Sequence, residues 1–549
     1  METGITHPDC PASEGRDGPH VRREGSPGRG VTTRRRSVRA GGVRNRFHRL
    51  AGLAVAPLAL LATLTAATPA SATSVSTVMV GVHPPTPGAT ASYPISFIPA
   101  TTLGDNSTIT VQAAPGTTFS ACPSTCSDYT IAQGGLLKKY AAVSVGNAGG
   151  STTANTFVVT VGSTDINAGK SVTILAQGTN PTGSGTGTLT ISTSKNLTPV
   201  SVNYTIGTAS AGLLQGAVPN GAASPMLALS SPTYLQSMFG APTSTEPSLA
   251  TAYISSNNWA QIDGSGGSLA FLQTQGWSTP DNQPIPGYQL VIGVPILPSK
   301  NGSVSLQNGA SGTYNGYFRQ LATSLIGEGL GNSWLRLGYE FDNSGLKGPS
   351  SPWGTGNSVT QEGYFAQFWR QIVTTMRAVT GANFKFVWNP DGYAFLGQND
   401  QQYLKSGGFS PAAAWPGSQY VDFVGADVYD WQPTMETGYT QAENWANFIE
   451  PQLQGAEQFA SSEGVPLAFP EWGVMSKGPV FPGMGDDPSY VNGMYCFMVN
   501  RANNVAWESY SNTSYQDWNT QITGSSFPQS LAAFRSDFGQ GSASACNPG

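Results

Sequence analysis

The feature that most constrains this chain is a rhythm in its C-terminal half, where eight β-rich apolar runs are separated by helix-length amphipathic stretches. The runs are Leu214–Val218, Thr251–Ile254, Tyr288–Leu297, Trp334–Glu340, Phe384–Asn389, Val421–Tyr429, Leu467–Glu471 and Val505–Tyr510. Between them fall Tyr314–Leu325, Tyr364–Val379, Ala442–Ser462 and Ser489–Asn503, with Phe527–Phe538 after the last run. Strands that alternate with helices pair in parallel, because each crossover returns the chain to the same end of the sheet. Eight such units over residues 212–540 predict an α/β fold, a (β/α)8 TIM barrel, whose chemistry sits at the C-terminal ends of the strands.

Upstream the composition changes. Residues 75–207 are rich in Thr, Ser, Gly, Val and Ala, contain no tryptophan, and carry short alternating runs such as Ser107–Val111, Thr156–Val161 and Thr188–Ser192 between turn residues. This predicts an all-β, Ig-like sandwich. Its few aromatics give it no evident sugar platform, so a spacer or wall-facing role is expected. Residues 1–72 hold eleven arginines and no lysine, then an apolar run from Leu50 to Ala67 and the small residues Ala70-Ser71-Ala72. That order predicts a secretory leader cleaved after Ala72, with Arg34-Arg35-Arg36 leaving a twin-arginine route open. Residues 541–549 are expected to be a C-terminal tail.

Without the leader, fifteen basic residues face twenty-six acidic ones, a net charge of about −11. Sparse, unclustered basic residues argue against nucleic acid and anionic polysaccharide and favour a neutral polysaccharide partner. The chain is expected to act as a monomer. Four cysteines remain, and an even number in a secreted chain predicts disulfides: Cys122 with Cys126, and Cys496 with Cys546.

Histidine is missing from the barrel region: His7, His20 and His48 lie in the leader and His83 far upstream. Ser-His-Asp, Cys-His and histidine-zinc chemistry therefore have no residues to work with there. Two glutamates, Glu340 and Glu471, close apolar strands where a barrel would place a site, and glycoside hydrolysis needs two carboxyl groups facing one bond. Strand alternation places Arg336 and Glu340 on one face, Leu467, Phe469 and Glu471 on another, and Asp427 with Tyr429 on a third. All are expected to converge on one barrel mouth. Trp353, Tyr393, Trp431 and Trp472 follow strand ends and could line an aromatic cleft. Glu508 has the opposite parity to Trp507 and is expected to face away, and Asp486-Asp487 is expected to cap a helix.

Over residues 212–540 these motifs together resemble glycoside hydrolase family 26, a group best known for endo-β-1,4-mannanases. The resemblance implies Glu340 as acid/base, with Arg336 four residues before it, and Glu471 as nucleophile. It implies substrate contacts from Arg336, Tyr339, Trp388, Asn389, Asp427, Tyr429 and Trp507, with Tyr429 hydrogen-bonded to the nucleophile and Trp507 flooring the sugar subsite. No metal and no cofactor is required. One residue departs from the pattern: Tyr339 stands where the mannanases carry histidine and most clan relatives asparagine. The implied activity is a secreted retaining endo-β-glycanase, β-mannan favoured over β-glucan or xylan, with a non-catalytic polysaccharide-binding protein as the competing reading.

Overall fold

A computed structural model describes residues 74–82, 85–122, 128–133, 136–138, 140–145, 154–207, 213–219, 232–240, 249–265, 269, 288–300, 303–342, 352–356, 358–396, 409–432, 438–477, 482–514, 518–539 and 546. The leader, His83 and Cys126 lie outside the described residues.

The eight apolar runs form eight parallel strands: β1 (Gly216–Pro219), β2 (Leu249–Tyr253), β3 (Gln289–Val294), β4 (Trp334–Leu337), β5 (Lys385–Trp388), β6 (Phe423–Gly425, resuming as Val428–Asp430), β7 (Leu467–Val474) and β8 (Val505–Asn512). Each pairs in parallel with the next, and β1 pairs with β8 through Ala217 and Tyr510, which closes the barrel. Closure buries both faces of most strands, which is why the runs read as near-continuous apolar segments. β7 is buried along its whole length.

The barrel interior is filled in layers. At its N-terminal end Leu249, Val291, Val387, Phe423, Ala468 and Trp507 form one cluster, with Leu214 and Trp334 packed against it. That is one residue per strand position, the layer of branched and aromatic side chains that plugs such barrels. Two residues further along the strands the interior turns polar: Thr251 and Ser509 share a hydrogen bond at 2.9 Å, and Arg336 bonds Asn389. The side chains of alternate parity, including Leu335, Leu337, Phe386, Trp388 and Phe469, pack instead into the larger core shared with the helices.

Those helices include α1 (Asn315–Gly327), α2 (Val359–Arg377), α3 (Glu450–Glu463), α4 (Pro488–Val499) and α5 (Pro528–Phe534). Phe365, Phe368, Trp369, Ile372 and Met376 recur at three- and four-residue spacing along α2 and are fully buried against the strands. The capping role expected of Asp486-Asp487 is split between two helices. Asp487 is the N-cap of α4, accepting from Ser489 and Tyr490 N–H. Asp486 accepts the N–H groups of Gln529 at 3.0 Å and Ser530 at 2.8 Å, at the start of α5. Cys496 on α4 is disulfide-bonded to Cys546 as expected. Cys122 is also in a disulfide, whose partner lies outside the described residues.

The N-terminal region is all-β. One antiparallel sheet runs in the order Ser76–Val80, Thr90–Ile98, Val172–Thr179, Tyr129–Gln133, Leu136–Leu137, with Thr118–Phe119 beside the third of these. The other runs Val200–Ile206, Gly185–Thr193, Thr108–Gln112, Thr156–Val161, Tyr140–Val145. Tyr93, Ile95, Ile109, Val111, Phe157 and Ile174 from the two sheets share one core. Eleven strands are more than the seven to nine of an immunoglobulin domain, so the sandwich expectation holds and the Ig-like form of it gains no support.

Because Asp486 caps α5 from outside the helix, Asp486→Ala is expected to cost about 1 kcal/mol of stability at pH 7, read by urea unfolding. Partial burial works against its charge, but the hydrogen bonds from Ser530 and Gln529 outweigh it and hold the carboxyl below its ordinary value. The contribution is therefore present above the unfolded-state value of about 4 and lost as pH falls below it. The difference between the two proteins should narrow as pH falls below about 4; a difference that does not change with pH contradicts an ionic cap.

Candidate active site

Arg336 is the hub. Two residues above the plug layer, its side chain is fully buried, and it spends its N–H groups on residues from four other strands. Nε donates to Asn389 Oδ1 at 2.6 Å, Nη2 to Asp427 Oδ2 at 2.6 Å, and Nη1 to Glu471 Oε1 at 2.8 Å and the Tyr253 hydroxyl at 2.9 Å. Burial alone would lower its pKa; the charges of Asp427 and Glu471 outweigh that and raise it, so it stays a cation.

Glu471 lies in the middle of β7, not at its end. The pairing register of β7 with β8 shifts between Phe469 and Trp472. Pro470 in that interval supplies no N–H to the ladder, and the bulge re-aims the side chains. Leu467 and Phe469 face the helices, Phe469 meeting Phe497 of α4 at 6.0 Å, whereas Glu471 turns into the barrel. This corrects the expectation that the three share a face. Two tyrosine hydroxyls donate to the carboxylate, Tyr429 to Oε2 at 2.6 Å and Tyr253 to Oε1. Burial first, then the Glu471 charge, raises both phenols well above their ordinary value, so both remain donors.

Glu340 also reaches the mouth by a route other than strand alternation. β4 ends at Leu337, and Gly338 and Glu340 both take left-handed backbone, with φ of 55° and 49°. Such a conformation costs a glutamate on the order of 1 kcal/mol. It is held by the Glu340 N–H, which donates to the Asn389 carbonyl at 2.8 Å. One carboxylate oxygen each from Glu340, Asp427 and Glu471 lie within 4.8 Å of one another. Arg336 supplies the positive charge against two of the three.

Several residues are placed elsewhere than the resemblance implied. Trp507 does not floor a sugar subsite: it is fully buried in the N-terminal plug, 5.6 Å from Trp334 at the opposite end of the barrel from the carboxylates. β8 continues five residues beyond it. Trp388 does not line the cleft either, since its parity turns it to the helices, where it stacks on Phe459 at 5.4 Å and donates to the Ala414 carbonyl. Arg336, Asn389 and Asp427 are buried beneath the mouth, where Asn389 and Asp427 accept from Arg336 and Arg336 donates to Glu471. Trp353 and Trp472 are likewise buried. Tyr339, Tyr393, Tyr429 and Trp431 are half-buried and stay at the rim. Glu508 faces away as expected, accepting from Trp472 Nε1 at 2.6 Å behind the barrel wall, where burial pushes it up to about 8.

The sequence reading missed Tyr253, Trp518 and a second group of acids. Tyr253 ends β2, in a run that carries no motif. Trp518, in the loop after β8, packs edge-on against Tyr429 at 5.7 Å. Beside Glu340, the Asp391 N–H donates to Asp342 Oδ1 at 2.9 Å and the Tyr393 hydroxyl donates to Asp391 Oδ2. Burial, with the charges of Glu340 and Glu362 behind it, pushes Asp342 up to about 8 despite that bond, and burial with Glu340 and Asp342 raises Asp391.

The sequence model of Glycosyl hydrolase family 26 matches residues 347–452, so the resemblance read from the motifs is borne out there. That segment carries Trp388, Asn389, Asp427 and Tyr429 and lies between the two glutamates. Endoglucanase H of Acetivibrio thermocellus is 26% identical over 257 residues, 45% of this chain but only 24% of that protein. Among solved structures, the modular endo-β-1,4-mannanase of Cellulomonas fimi is similar at 18% identity over 61% of this chain and 71% of that one, with a TM-score of 0.37. The catalytic domain of the family 26 mannanase from Bacillus sp. JAMB-750 is similar at 16% identity over 61% and 89%, with a TM-score of 0.33. The barrel rests on the strand pairing itself, not on these scores.

Removing the hub should expose what it neutralises. Arg336→Met leaves Asp427 and Glu471 buried with no counter-charge, and is expected to cost about 3 to 5 kcal/mol in urea unfolding at pH 7. The deficit should shrink toward pH 4, as the stranded carboxylates take up protons. A cost under about 1 kcal/mol at pH 7 contradicts the assignment of Arg336 as the buried counter-ion.

Proposed function

We propose that this chain is a retaining endo-β-glycanase of the family 26 type, acting on a neutral β-1,4-linked polysaccharide, with β-mannan favoured. The observation that carries the reading is the separation of the two glutamates, whose oxygens approach within 4.8 Å across one mouth. Retaining glycosidases hold their carboxyl groups about 5 to 5.5 Å apart, whereas inverting ones leave about 6.5 to 9.5 Å for a water.

In this reading Glu471, aligned by Arg336, Tyr253 and Tyr429, attacks the anomeric carbon while Glu340 protonates the departing oxygen. Glu340 then takes a proton from the water that releases the sugar. Secretion is part of the proposal: the leader-like residues 1–72 and the Cys496–Cys546 disulfide both suit an oxidising compartment. No helix among the described residues is long and apolar enough to cross a membrane. Residues 75–207 fit a spacer or wall-facing module ahead of the barrel at 212–540.

A β-glucan substrate is the second reading. It is favoured by the name of the A. thermocellus relative and by Tyr339 in the position of the mannanase histidine. Tyr339 stands edge-on to Tyr253 at 5.5 Å and to Trp353 at 5.6 Å, with the Arg336 guanidinium 5.3 Å from its ring centre, so its place beside Glu340 is tightly packed.

Glu340→Ala and Glu471→Ala should each lower turnover by several orders of magnitude with the fold intact by circular dichroism. Azide should partly restore the Glu340 variant, and full activity of either variant on mannan, mixed-linkage glucan, carboxymethyl-cellulose or xylan rules out the assignment. Tyr339→His should change the ratio of kcat/KM between manno- and cello-oligosaccharides, since a hydrogen bond to a sugar hydroxyl discriminates more strongly than apolar contact. Equal scaling of all substrates would leave Tyr339 a supporting residue only.

A further inference from the structure

Tyr253 is the contact to Glu471 that no motif announced, and its surroundings fix the direction of its hydrogen bond. The Tyr253 oxygen accepts from Arg336 Nη1 at 2.9 Å. With that N–H occupying an acceptor position, the hydroxyl proton is left to point at Glu471 Oε1, which it does. The phenol stays protonated because burial and the neighbouring carboxylate both disfavour its anion.

The ring is held as firmly as the hydroxyl. It crosses the barrel mouth over Gly293 on β3, where an added Cβ would lie 2.4 Å from the ring. Tyr339, the residue before the acid/base, meets it edge-on at 5.5 Å, and Arg336 lies 5.7 Å from its centre. Tyr253 therefore touches the nucleophile through its hydroxyl and the neighbour of the acid/base through its ring.

We propose that Tyr253 is a further positioning residue for the nucleophile beside Arg336 and Tyr429, a donor oriented by Arg336 that holds Glu471 ionised and aimed at the anomeric carbon. This rests on the reading of Glu471 as nucleophile. In the first step an oxygen of Glu471 bonds the anomeric carbon as the glycosidic bond breaks and the leaving oxygen takes the proton of Glu340. In the second the ester bond breaks, its electron pair returning to Glu471, while water bonds the anomeric carbon and gives a proton to Glu340. Negative charge sits on Glu471 at the start of the first step and reappears on it in the second, and a hydrogen bond to that charge favours both states.

The test is Tyr253→Phe, which keeps the ring and deletes the hydroxyl, measured on 2,4-dinitrophenyl β-mannobioside and β-cellobioside. These leaving groups need little acid assistance, so breakdown of the intermediate is exposed. We expect kcat to fall about tenfold to a hundredfold, the range for losing a hydrogen bond to a charged group. KM should fall with it, and the acid limb of kcat/KM should move up by about one pH unit. A loss of kcat with the acid limb unmoved would mean a purely structural role and overturn the proposal. Gly293→Ala, which displaces the ring while keeping the hydroxyl, should move the limb in the same direction, and an unmoved limb there counts against it too. Titration of the 13C-labelled Glu471 carboxyl in resting wild type and Tyr253→Phe needs no turnover. A raised midpoint supports the proposal and an unchanged one overturns it, even if neither glycoside is cleaved and the functional reading itself fails.

Discussion

One buried guanidinium organises this barrel mouth. Taking Arg336 out of water costs several kcal/mol before any partner is counted, and that cost is offset only if its donors meet fixed acceptors. The acceptors come from the ends of β2 and β5, from the interruption of β6, and from β7. A single side chain therefore sets where four strands present their polar groups, and moving any one of them would strand a charge or a donor in the interior. Below it lies the apolar plug, which keeps water out from beneath, and above it lie the carboxylates it aligns.

The chemistry sits where strand regularity is broken. Glu340 occupies a left-handed turn after β4, Asp427 falls in the gap between the two pieces of β6, and Glu471 sits in the bulge that follows Pro470. Regular strands present alternate residues at fixed spacing, and here one oxygen from each of the three carboxylates comes within 4.8 Å of the others. Each irregularity gives up some backbone stability to aim one side chain, a trade found where geometry serves function. The tie from the Glu340 N–H to the Asn389 carbonyl belongs to the same network, because the Asn389 side chain accepts from Arg336.

Most of the architecture was legible because it depends on pattern. Eight apolar runs became eight strands, with boundaries shifted by a few residues, and the helices followed the three- and four-residue spacing. The carboxylates were legible because chemistry limited the choices once histidine was absent. What sequence could not give was side-chain direction near bulges. Parity arguments hold for Asp427 and Tyr429 and fail for Leu467, Phe469 and Glu471, where one register shift reverses the face. Trp388 and Trp507 illustrate a second limit. A motif places an aromatic on a strand, but parity decides whether it meets the cleft or the helices, and height along the strand decides whether it meets the mouth or the plug. Tyr253 was missed for the converse reason: its strand carries no motif, and its role appears only once β2 lies beside Arg336.

Glu340 and Glu471, as the proposed retaining pair, dictate the stereochemistry of the product. The most direct test is the anomeric configuration of the first product, followed by proton nuclear magnetic resonance as wild-type protein cleaves a soluble β-1,4-linked oligosaccharide in D2O. Retention requires the β-anomer to appear first and the α-anomer to grow in only by mutarotation. Initial release of the α-anomer would mean single displacement by water, and would contradict the assignment of Glu471 as a covalent nucleophile.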